Sequence, residues 1–138
     1  MSLSETEVEA FLADYAASYE RLDGDAVAAH CGLPLAIALG GRVFGFPEAE
    51  PLRDNMCKLC AVYAQAGLQR AAPRLEQLTL LGDHDAFVLV QWRLTRADGS
   101  LIQAFRTGYQ LQRQQGEMKI LYVTAFSESL HAMREATP

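Results

Sequence analysis

The hydrophobic period of this chain changes once, near Arg70, from about 3.6 residues to about 2. A 3.6-residue stripe belongs to one face of a helix and a 2-residue alternation to one face of a strand. Neither half can hide its apolar side alone. The two must therefore be laid against each other, which makes the chain α+β with the helices first.

In the helical half, Ser4 followed by Glu7 forms a capping box that starts the first helix. Val8, Phe11, Leu12, Tyr15, Tyr19 and Leu22 then recur at three- and four-residue steps, up to a break at Asp23 and Gly24. Asp25 can cap a second, shorter helix through His30, which Gly32 and Pro34 close. Leu35 to Leu39 and Arg42 to Phe46 read as a short hairpin turning at Gly40-Gly41. A third helix follows Pro51, with Leu52, Met56, Leu59, Cys60 and Tyr63 facing inward and Gly67 as its stop.

Beyond Arg70, segments 74–81, 86–96, 101–113 and 117–126 alternate as strands. Gly82-Asp83-His84-Asp85, Asp98-Gly99 and Gln115-Gly116 supply the turns, and none is long enough for a helical crossover. An antiparallel meander follows. The tail, residues 127–138, adds at most a final helical turn. With no repeat, linker or charge block, residues 1–138 read as one domain.

Half of the 138 residues are hydrophobic, enough for a core that needs no disulfides. The net charge of -5 repels phosphate backbones and anionic membrane surfaces, which argues against nucleic acid and membrane as partners. No apolar run approaches the ~20 residues that span a bilayer, and the opening MSLSETEVEA is acidic where a secretory signal is basic. A cytoplasmic location is expected. The odd number of cysteines, Cys31, Cys57 and Cys60, fits free thiols in a reducing compartment.

The order helix, helix, hairpin, helix, four strands covers nearly the whole chain and resembles that of the nuclear-transport-factor-2-like superfamily, which includes ketosteroid isomerases, limonene-epoxide hydrolases and SnoaL-like polyketide cyclases. FLADYAASYERLDGDAVAAHC resembles its opening helices, and FRTGYQLQRQQGEMKILYVTAFS its last two strands. The resemblance implies a cystatin-like cone, in which a strongly curved antiparallel sheet wraps three N-terminal helices around a pocket. It also implies a homodimer through the sheet. The strands agree, because Val88, Val90, Trp92 and Leu94 occupy one face while Phe87 and Leu89 leave the other apolar enough to need a cover.

Five residues are candidate ligand contacts: Tyr15, Trp92, Arg106, Tyr122 and Thr124. Tyr15 stands where the resemblance places an oxyanion-stabilising tyrosine, and the alternative is a core tyrosine satisfied locally. The carboxylate base of the isomerases falls near Leu39 and their second acid near Thr107, Gly108 and Tyr109, where this chain has no carboxylate. Arg106 is a cation for a carboxylate or phosphate if its strand face points inward, and a solvated or interface residue if Phe105, Tyr109 and Leu111 point inward instead. Tyr122 and Thr124 share an alternating set with Met118, Ile120 and Phe126, at positions where SnoaL-like relatives carry histidines. Cys57-x-x-Cys60 lacks a second metal-binding motif and reads as structural, and no metal or cofactor is expected.

Two functions remain open on the sequence. One is a small-molecule-binding cone with a mainly apolar pocket, with or without a metal-independent lyase, isomerase or cyclase step. The other is a non-enzymatic homodimeric module whose interior Met56, Met118, Phe105 and Phe126 fill.

Overall fold

A computed structural model describes residues 3–127 of the chain; the expected last helical turn and His131 lie outside them. The elements run α1 (Glu5–Glu20), α2 (Gly24–Ala29), β1 (Cys31–Leu39), β2 (Arg42–Phe46), α3 (Ala49–Ala66), β3 (Leu68–Leu81), β4 (Asp85–Arg96), β5 (Leu101–Gln114) and β6 (Glu117–Ala125). This is the order the period change demands.

Ser4 caps α1 by accepting from the Glu7 amide at 3.2 Å. The helix ends two residues before Leu22, which sits in the left-handed region at φ 55° and leaves the apolar stripe for the surface. The cap of α2 is Asp23 rather than Asp25: its extended backbone lets the carboxylate accept from the Ala26 amide at 3.0 Å, while Asp25 falls in the first turn. Helix α3 begins at Ala49, so Pro51 lies in its first turn, where a missing N–H leaves no bond unmade. Gly67 ends it at φ 84°.

The six strands form one sheet in the order β2-β1-β6-β5-β4-β3. Strands β3 to β6 make the expected antiparallel meander, and β1 closes the hairpin onto β6 in parallel. That parallel contact is reachable because α3 and four strands lie between β1 and β6 in the chain. β3 starts at Leu68, earlier than its alternation suggests, and tolerates Pro73 because it is an edge strand. Register shifts interrupt four of the five strand pairs, and such bulges bend the strands they interrupt.

The bent sheet closes over the helices. From β4 and β5, Val88, Val90, Trp92, Phe105, Tyr109 and Leu111 are buried on the inner face. They share one core with Val8, Leu12 and Tyr15 of α1 and with Met56, Cys60 and Tyr63 of α3. α2 crosses α3 so closely that a Cβ on Gly24 would lie 2.6 Å from the Cys57 Cα. Among the described residues, no helix is long and apolar enough to cross a membrane.

Candidate functional site

The curvature leaves the wide end of the cone unfilled. A cavity of about 270 Å³ lies between α1, α3, the β1–β2 hairpin and the inner face of β5 and β6. Its wall is mostly apolar, built from Ile37, Leu39, Phe46, Leu59, Val62 and Val123. At the solvent end stand Asn55, Lys58 and the exposed ring of Phe44.

The polar groups of the interior are hydroxyls. The Tyr15 and Tyr19 phenols hydrogen-bond to each other at 3.0 Å on one wall. The Tyr109 oxygen accepts from the Trp92 indole N–H at 2.9 Å. Thr107 is only 2% exposed, lines the cavity, and its Oγ1 has no hydrogen-bond partner. Buried hydroxyls are rarely left so, because an unmade bond costs about 1–3 kcal/mol.

Tyr15 is the centre of an aromatic cluster, with edge contacts to Tyr19, His30, Trp92 and Tyr109 at centroid distances of 5.1–6.0 Å. Burial, and secondarily the neighbouring Tyr19 and Tyr109, push its phenol well above the ordinary tyrosine range. Tyr15 therefore stays protonated, a hydrogen-bond donor rather than a base. Behind it, Trp92, Tyr109, Tyr19 and Phe105 border a void of about 30 Å³, room for a single water.

The five candidate contacts separate. Tyr15 lines the cavity, and Trp92 lies behind Tyr109, bordering the small void instead. Arg106, Tyr122 and Thr124 lie on the opposite face of the sheet. Phe105, Thr107, Tyr109 and Leu111 take the inward positions of β5, so Arg106 points outward and pairs with Glu76 at 2.7 Å. The Arg106 hydrogen bond holds the Glu76 carboxyl below its usual range. In β6 a register shift between Gln110 and Leu111 of the partner strand splits the alternating set. Met118 and Ile120 pair with Arg113 and Leu111 of the inner set, whereas Tyr122 and Thr124 pair with Gln110 and Gly108 of the outer. Phe126 is exposed as well.

Asn55, Lys58, Tyr19 and Thr107 line the cavity but are not among the five residues read from the sequence as ligand contacts. For Asn55 a signal exists: Asn55, Leu59 and Val62 make a second stripe beside the buried Met56, Cys60 and Tyr63 of α3. Leu39 and Thr107, at the positions where acid–base carboxylates were looked for, do line the cavity, and they line it without a carboxylate.

The cysteines hold no comparable chemistry. Cys57 is exposed while Cys60 is buried. Burial pushes the Cys60 thiol up to about 11 and the Cys31 thiol up to about 12. His30, next to Cys31, turns its Nδ1 to the Ala26 carbonyl at 2.7 Å. Among the described residues, no cluster of His, Cys, Asp or Glu is placed to hold a metal ion.

A family model described as NTF2-like protein (DUF6841) matches residues 4–128. No curated protein matches the chain. Among solved structures, an NTF-2 like protein of unknown function from Shewanella oneidensis MR-1 superposes with a TM-score of 0.69 at 13% identity, over 87% of this chain and 96% of that one. A domain of unknown function with a cystatin-like fold from Nostoc punctiforme gives 0.72 at 12%, over 96% and 82%. A ketosteroid isomerase-like protein from Erwinia carotovora atroseptica gives 0.62 at 17%, over 88% and 94%. At such identities the likeness is one of fold.

Proposed function

The chain belongs to the NTF2-like family, and from its cavity we propose that it is a binding protein for a small, mainly apolar molecule held inside the cone. The observation that carries this reading is the cavity of about 270 Å³ itself, mostly apolar in its wall and lined in part by Thr107, a buried threonine whose Oγ1 has no hydrogen-bond partner. A void that merely resulted from loose packing would have an apolar lining, because stranding a hydroxyl there adds a desolvation cost. A ligand oxygen or amide at that point removes the cost. The volume equals that of roughly nine waters, which sets the scale at about ten non-hydrogen atoms.

Binding is a better supported role than isomerase, lyase or cyclase chemistry. The described lining residues offer phenols, an alcohol, an amide and one ammonium group, with no carboxylate or imidazole to carry a proton near neutral pH. Tyr15 and Tyr19 orient a ligand by hydrogen bonding. A second copy of the chain is the proposed cover for the outer sheet face, where Phe87 and Leu89 are only partly buried and Tyr122 is exposed.

The test is a melting-temperature screen against compact alcohols, ketones and acids of that size, with Val123→Phe as the cavity-filling control. A native-state ligand raises Tm by mass action, and the filled variant should lose the rise. If no compound moves Tm and Val123→Phe is markedly less stable than the parent, as overpacking of a filled core would make it, the cone is a packed module and the reading is wrong.

A further inference from the structure

We infer that the molecule held in the cone is an amphipathic monocarboxylate, its carboxylate at Lys58 and Asn55 in the mouth and its far end, carrying a hydroxyl or carbonyl, at Thr107. The inference rests on the binding role proposed above and adds the chemistry of the ligand. Among the described residues that line the cavity, Lys58 is the only cation, and no acid accompanies it there. Its natural helix partner, Asp54 one turn earlier, does not engage it: the described ion pairs are Arg74–Glu76, Arg106–Glu76, Arg113–Glu7 and Lys119–Glu117. In a chain of net charge -5, an ammonium group without a carboxylate, set at the rim of an apolar cavity, is a site for an anion.

The arrangement is polar at both ends and apolar between. Lys58 can lay its methylene stem along the apolar rim while its ammonium group reaches the opening. Asn55 lies one helical turn away, and its amide can donate to the second carboxylate oxygen. Ile37, Leu39, Phe46, Val62 and Val123 then enclose a hydrocarbon body as far as Thr107. A dianion or phosphate is disfavoured, since the described residues of the mouth supply one positive charge and no arginine fork of the kind that grips phosphate.

Isothermal titration calorimetry of the full chain with octanoate, 1-octanol and 8-hydroxyoctanoate tests this. Octanoate is expected to bind at least tenfold more tightly than 1-octanol. Lys58→Gln should erase that difference and Lys58→Arg should keep most of it; the position is exposed, so folding is not at risk. 8-Hydroxyoctanoate should bind several-fold more tightly than octanoate, and Thr107→Val should remove that gain alone. Equal affinity for octanoate and 1-octanol, unchanged by Lys58→Gln, would overturn the carboxylate assignment while leaving the binding cone in place. A gain from the 8-hydroxyl that survives Thr107→Val would overturn the orientation. Heat from none of the three, with no shift in Tm, would sink the ligand class and the binding role together.

Discussion

The indole N–H of Trp92 and the phenolic oxygen of Tyr109, on adjacent strands, meet at 2.9 Å inside the core. Tyr109 lines both the 30 Å³ void and the 270 Å³ cavity. The bond also fixes the Tyr109 ring against Tyr15. Tyr109→Phe keeps the ring but strands the Trp92 donor, so it should cost about 1–3 kcal/mol. Urea unfolding followed by Trp92 fluorescence measures this, and a midpoint equal to the parent's would show that the indole has another partner.

Gly24 should tolerate no side chain. The atoms 2.6–2.7 Å from its hypothetical Cβ include the Cys57 Cα and N, backbone atoms of α3 that cannot turn aside. Gly24→Ala is expected to destabilise by about 1–3 kcal/mol or more, as overpacking between rigid elements does. Gly45→Ala is the control, because nothing lies within 4 Å of the equivalent position. Equal melting temperatures for the two variants would show that α2 and α3 can separate freely.

The thiols should divide by burial. At pH 8, Ellman's reagent should titrate one cysteine, Cys57, in the folded protein and three after denaturation. The buried thiols also set an alkaline limit on stability. Their folded pKa values, about 12 for Cys31 and about 11 for Cys60, lie above the ordinary thiol value. The unfolded chain therefore releases protons first, and stability falls as pH rises from the ordinary thiol range toward the folded values. Cys31→Ala should flatten that fall in unfolding midpoints taken between pH 8 and 11. A parallel pH profile for parent and variant would assign the fall to other groups.

Much of this fold is legible in the residues because each local signal agrees with the packing that uses it. Ser4, Gly67 and the turn at Asp98-Gly99 start or stop elements where the hydrophobic pattern is interrupted, and the period alone separates Val90 and Trp92 from Leu89 and Gln91. The site is less legible, for two reasons. The first is register: one irregularity in β6 exchanges Tyr122 and Thr124 for Val123 and Ala125 on the inner face, and an apolar run such as Ile120-Leu121-Tyr122-Val123 carries no mark of where the extra residue falls. The second is that the cavity mouth joins α3 to the β1–β2 hairpin. Nothing in Asn55 or Lys58 taken alone distinguishes a residue facing that gap from one facing solvent.

Thr107→Val separates the cost of the unpartnered hydroxyl from its use. The two side chains have similar shape, so in the ligand-free protein the substitution should stabilise by about 1 kcal/mol, relieving part of the penalty for a buried unpaired hydroxyl. Thermal unfolding reads this directly. A loss of stability would mean that the Thr107 hydroxyl is bonded, to a water in the cavity for instance, and is not waiting for a ligand.

The proposed association uses the other side of the sheet. Phe87 packs its ring over Gly108 at 3.2 Å from where a Cβ would stand, next to Thr124, and Leu89 pairs with Gly108 across the strands. This leaves a shallow apolar surface in the middle of the outer face, ringed by Arg106, Glu76 and Gln110. An apolar centre with a polar rim is the anatomy of an interface between copies. Sedimentation velocity at micromolar concentration should therefore give twice the 15.2 kDa chain mass. Leu89→Glu, which puts a charge at the centre of that surface without touching the inner core, should give the monomer with a circular dichroism spectrum like the parent's. A monomeric parent would rule out a second copy as the cover. A variant that remains dimeric would move the contact to another surface, and the partly buried side chains of β4 would then need no partner.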